Sequence, residues 1–317
     1  MNSAREDVDS DVAGKRIRVA PDGDVQTIAQ AAKLARDGDV VEIQAGVYEG
    51  DVAVWTQRQL RIRAVGGRAV LRAAGRAAEG KAIWVLRNGD FEIDGFDFVG
   101  ARVPSRNGAG IRFERGSLVV RNSRFLDNQM GLLTGNHPGS RLTIDRCEFS
   151  GPRDGTRWYH NLYVGSIAYF KMTNSSSHDA RKGHLVKSRA RENVVIGNRF
   201  VDGGGTASYE LEFPEGGVAT VRANRIEQSA RTDNTVIVSY GAEGYRWPVN
   251  ALRMTGNTIV NRAGVDSVFV RVAPGPVQVD MSSNVFAGPG RLEVPDDADK
   301  GSNRRIPLDA LKETLER

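Results

Sequence analysis

Apolar and polar residues alternate along most of this chain in short runs, each closed by Gly, Asn or another turn former. Period two is the spacing of a strand with one face buried. One such segment returns eight times, as FEIDGFDF at 91–98, LVVRNSRF at 118–125, LTIDRCEF at 142–149, FKMTNSSS at 170–177, NVVIGNRF at 193–200, ATVRANRI at 219–226, LRMTGNTI at 252–259 and VDMSSNVF at 279–286. The closing positions, Phe98, Phe125, Phe149, Ser177, Phe200, Ile226, Ile259 and Phe286, are 23 to 33 residues apart. Between successive segments sits a second strand-like run: AGIRFE, MGLLTG, HNLYVG, GHLVKSR, SYELEF, NTVIVSY and DSVFVRV. Strands and turns repeating near 27 residues, with no helical stretch between them, predict the coils of a parallel β-helix. A β-sandwich of short strands has no reason to repeat at that length.

Asn198, Asn224, Asn257 and Asn284 fall at one position of four consecutive coils. Equivalent turn asparagines are expected to stack, each amide bonding the next across the strand spacing. A solenoid must also hide its core at both ends. Residues 24–37 read as an amphipathic helix with Val25, Ile28, Ala31, Ala32 and Ala35 on one face, Asp24 as cap and Gly38 as terminator. Leu308, Leu311 and Leu315 lie at helical spacing in 307–317, which predicts a short C-terminal helix. The expected organisation is a polar, disordered 1–14 followed by a single domain over 15–317, with an N-terminal cap at 15–38, coils at 39–290 and a closing segment at 291–317.

Composition narrows the class. Thirty-six glycines with 7% aromatic residues suit a turn-rich all-β protein, and no apolar run is long enough for a membrane helix. One cysteine excludes a disulfide framework and any multi-cysteine zinc site. The formal charge of +5 favours an anionic partner. The acidic N-terminus lacks the apolar stretch of a signal peptide, so the expected location is secreted or periplasmic if a leader was trimmed, and cytoplasmic otherwise.

The helix at 24–37 followed by DVVEIQAGVYEG at 39–50 resembles the N-terminal cap of the pectin-lyase-like superfamily of right-handed parallel β-helices, and the resemblance extends over about 16–290. It implies a right-handed all-β solenoid. For function it implies less, because that superfamily holds lyases, hydrolases, epimerases, esterases and adhesive spikes. The runs HNLYVG, GHLVKSRA and SYELEFPEGG look like a bacterial single-domain subgroup to which no one reaction attaches.

Candidate chemistry gathers between residues 137 and 240. All four histidines lie at 137–184, and residues 150–192 carry eight Arg and Lys against three acids. Adjacent coils stand about 4.8 Å apart, so HNLYVG, GHLVKSR and SYELEF bring distant residues to one face. Taking Leu162 and Val164 inward leaves Asn161 and Tyr163 outward; taking Tyr209, Leu211 and Phe213 inward leaves Glu210 and Glu212 outward. Lys187 and Arg189 are placed outside because burying them unpaired costs too much; the side taken by His184 stays open.

Two reactions suit such a face. In β-elimination, Lys187 and Arg189 neutralise the carboxylate of a uronic acid, and Tyr163, His160 or His184 serves as acid or base. Asn161, Arg181, Lys182, Glu210, Glu212 and Tyr240 are the expected substrate contacts. No cofactor and no metal are expected, since acids are few around the basic strand. In the alternative, Glu210 and Glu212 form the carboxylate pair of an inverting glycoside hydrolase. A non-catalytic polysaccharide-binding β-helix is the third possibility. The expected partner is an acidic polysaccharide or oligosaccharide, with no nucleic-acid motif and no membrane insertion; the oligomeric state is not indicated.

Overall fold

Every named strand pairs in parallel, from Arg16–Val19 beside Val40–Glu49 to Arg304–Ile306 beside Val285–Ala287. The computed structural model describes residues 14–153 and 158–311, and these form a right-handed parallel β-helix of about ten turns. The repeat read from the sequence is the register itself. Phe98, Phe125, Phe149, Ser177, Phe200, Ile226, Ile259 and Phe286 are consecutive pairing partners down one sheet. Their side chains point inward, and the rings of Phe98, Phe125 and Phe149 stack at 5.0 and 4.7 Å. Those distances match the strand spacing, so each ring covers the next without leaving its rotamer.

A turn with one residue in the left-handed region precedes each of these strands. Asn122, Arg146, Asn174, Gly197 and Ala223 occupy it in successive coils, with φ between 48° and 67°. The following residue builds the expected ladder. Asn224 Oδ1 accepts from the backbone N–H and the side-chain amide of Asn198 at 2.8 and 3.0 Å, and the pattern repeats through Asn257, Asn284 and a fifth member, Asn303. Earlier coils use smaller groups: Ser123, Cys147 and Ser175 hold the same place, and Ser175 Oγ accepts from the Cys147 N–H at 3.0 Å.

The N-terminal helix is shorter than the amphipathic pattern predicts. It spans Ile28–Leu34, with Thr27 rather than Asp24 as its cap, in a capping box with Gln30. Asp24 instead accepts from the Arg18 N–H. Asp51 receives the first helical N–H groups, of Ile28 and Ala29, and Gln57 donates to the carbonyls of Ala32 and Ala35, so both helix ends are satisfied from the first coils. Ile28, Ala31 and Ala32 close the core. At the other end Leu311 is buried with Val260 and Ala287, and Leu308 packs on them. Residues 1–13 of the expected disordered N-terminus at 1–14, and Leu315 with the rest of the proposed C-terminal helix beyond 311, lie outside the described residues. Among the described residues no helix is long and apolar enough to cross a membrane.

Candidate functional site

The strands Leu162–Val164, His184–Ser188, Tyr209–Phe213 and Val236–Tyr240 are neighbours in one sheet. Strict alternation fails at their N-terminal ends, where two successive residues enter the core: Leu185 with Val186, and Ile237 with Val238. The chain turns a corner there, and the extra inward position forms its own column. Gly110 and Gly131 hold it where the stacked Phe98, Phe125 and Phe149 leave no room for a side chain. In the next coil Ser177 replaces the aromatic ring, and Asn161 fills the space.

Three expected contacts are corrected by this column and its neighbour. Asn161 is interior, donating to Ser177 Oγ at 3.0 Å and to the His178 carbonyl at 2.7 Å. Glu210 is fully buried two coils on, and burial with the Asp202 carboxylate beside it holds its carboxyl protonated, well above the usual range. Tyr240 also points inward, its hydroxyl donating to the Gly217 carbonyl. Glu210 and Glu212 therefore occupy opposite faces of their strand and do not form a hydrolytic pair. Tyr209, expected inside, instead joins the outward column of His184.

What remains outward converges. Tyr163, Lys187, Glu212 and Ser239 form one ladder in register, and His184 and Tyr209 a second beside it. The His184 ring stands edge-on between His160 and Tyr209, at centroid distances of 4.5 and 4.9 Å. His160 Nδ1 accepts the His184 backbone N–H at 3.0 Å, which leaves the His160 proton on Nε2. Burial and the nearby cations keep His160 neutral, its pKa well below the usual value. His184 Nδ1 lies 3.0 Å from Glu212 Oε2. Burial lowers the His184 pKa against the opposing pull of Glu212, so the imidazole is neutral.

The cations are where the sequence puts them, but they are not free. Lys187 Nζ is 2.9 Å from both Glu212 Oε2 and Glu243 Oε1, and these acids raise its pKa despite burial. Arg189 Nη1 contacts Glu215 at 2.9 Å, and its Nε donates to the Tyr163 oxygen at 2.9 Å. Glu212 stays ionised, its pKa lowered by His184 and Lys187 against burial. The local excess of positive charge in 150–192 is thus offset by acids from later coils. Glu215, Glu243 and Trp247, whose Nε1 donates to the Arg189 carbonyl at 3.1 Å, were not anticipated. Glu243 and Trp247 lie in the turn at 241–250, and the available signal was repeat length, since the interval from Ile226 to Ile259 is the longest of the series. Arg181 donates to the Gly204 carbonyl, and Lys182 is exposed in the same rim turn before the His184 strand.

The path of this chain is similar to that of a pectate lyase. The structure of pectate lyase Pel9A has 14% identity and a TM-score of 0.49, covering 92% of this chain and 80% of that one. Pectin methylesterase PemA from Erwinia chrysanthemi has 12% identity and a TM-score of 0.40, with 94% of each chain covered. The likeness concerns the fold alone. No family model matches the chain, and no curated protein does.

Proposed function

We propose that the protein cleaves an acidic, uronate-containing polysaccharide by β-elimination without a metal. The observation that carries this is a neutral, buried imidazole, His184, 3.0 Å from the Glu212 carboxylate and set on the same face as Lys187, Arg189 and Tyr163. Lys187 and Arg189 take the uronate carboxylate and stabilise the charge that develops when the adjacent C5–H is removed. His184 Nε2 accepts that proton. The electron pair forms the C4–C5 double bond as the C4–O bond breaks, and the departing oxygen takes the Tyr163 hydroxyl proton. The phenolate left behind keeps its hydrogen bond from Arg189, and exchange with solvent resets both groups. Arg181 and Lys182 offer further charge to the polymer at the rim.

The new double bond is conjugated to the carboxylate, so products should absorb in the near ultraviolet as reducing ends appear, with no loss on adding chelator. His184→Ala and Tyr163→Phe should each lower turnover by about a hundredfold or more. Because the His184 pKa is lowered, activity should persist as pH falls below the ordinary histidine range before the base is protonated. Reducing ends without absorbance would replace elimination by hydrolysis, and binding without either product would leave a non-catalytic polysaccharide-binding protein.

A further inference from the structure

Two enclosed cations on the outward face are bridged by a carboxylate from an exposed turn. The side chains of Lys187 and Arg189 are 10% and 14% exposed, and that of Glu243 is 44% exposed. Its oxygens are shared out: Oε1 lies 2.9 Å from Lys187 Nζ and Oε2 lies 2.6 Å from Arg189 Nη2. Each cation has a second acid, Glu212 for Lys187 and Glu215 for Arg189. With Glu243 turned away, both stay compensated and the donors that held its two oxygens face the same point. An ammonium and a guanidinium converging in this way form a receptor for one carboxylate.

The backbone of the turn is tied down, with the Glu243 N–H donating to the Pro214 carbonyl and the Arg246 N–H to that of Glu215. The part free to move is the Glu243 side chain, which has solvent on its other side. Swinging it into water is eased by its exposure, and Glu212 and Glu215 keep the two cations paired while it is away, so the cost is finite and is what an incoming carboxylate must offset.

We infer that Glu243 is an internal placeholder: it fills the carboxylate site of Lys187 and Arg189 in the free protein, and the carboxylate of an incoming uronate takes its place. This rests on the reading of that face as a uronate site. The exchange makes the site selective. A free acid can replace Glu243 charge for charge, whereas an esterified or neutral sugar offers nothing to exchange and meets an occupied site.

The test is calorimetric titration of the protein with an oligogalacturonate and with its methyl ester. Glu243→Gln removes the competing charge, keeps the shape and should tighten binding of the free acid by about tenfold, leaving the ester unchanged. Glu49→Gln serves as the charge control, because Glu49 is exposed and pairs with Arg72; it should change neither ligand. Unfolding midpoints should confirm that both variants keep the fold. Equal gain for acid and ester, no gain, weaker binding, or no binding by either protein would each overturn the placeholder. Tighter binding of the acid by the variant, with no near-ultraviolet product from any uronan, would refute elimination and leave the exchange standing.

Discussion

Glu210 lies wholly inside the solenoid, in register between Leu185 and Ile237, and neither carboxyl oxygen has a hydrogen-bond partner among the described residues. Asp202 is buried near it, and burial pushes its pKa up to about 7 although the N–H groups of Ala180 and Ala207 donate to it. Both groups hold protons in the folded state that the unfolded chain releases from about pH 4 upward, so their contribution to stability is full in acid and is lost as pH rises toward 7 and beyond. Glu210→Leu should therefore stabilise the fold by about 1–3 kcal/mol at neutral pH, and by less at pH 5, in urea unfolding. A loss of stability at both values would show that Glu210 has a polar partner in the core. His178 has the same sign for a different reason. Although burial opposes it, Asp179 and Glu148 raise its pKa, so its stabilising charge is present in acid and lost as pH rises through that raised value. Alternation in the sequence placed Tyr163 and Glu212 correctly, because their strands are regular where they lie, and the cost of burying an unpaired cation placed Lys187 and Arg189. It misplaced Asn161, Glu210 and Tyr209, which stand at the corner where two neighbours turn inward together. Period two carries no mark of a corner, and the glycines at 110 and 131 reveal theirs only beside the rings they face.

At the scale of the element, the asparagine ladder was legible because identical residues recur at one offset from an unmistakable apolar position. Its first members were not, since Ser123, Cys147 and Ser175 reach the same backbone with different chemistry. Asn224 meets both neighbouring coils: its Oδ1 accepts from Asn198, and its amide donates to the Val195 carbonyl and to Asn257. Asn224→Ala strands those groups in a closed interior, and should cost about 3 kcal/mol or more in denaturant unfolding. Asn174→Ala, at an exposed turn position of an earlier coil, is the comparison, and an equal cost for both would deny the ladder its role.

For the whole molecule, the repeat length disclosed the architecture, while the long turn that bears Glu243 went unread and the acids that offset the basic face came from coils no local window includes. The short helix Ile28–Leu34 covers the first coil and keeps its core from water. Ala31→Asp puts a charge in that contact, and should produce concentration-dependent association in light scattering as the opened end pairs with other copies. A variant that remains monomeric at every concentration would locate the protection elsewhere. The register has one more consequence. Strand pairing keeps one register from Val236–Tyr240 to Ser267–Val272 although a long turn intervenes, so turn length and coil geometry are separate variables in this chain. The 241–250 segment is in that sense an interchangeable part: a graft can alter what competes at Lys187 and Arg189 while the ladder beneath them keeps its step.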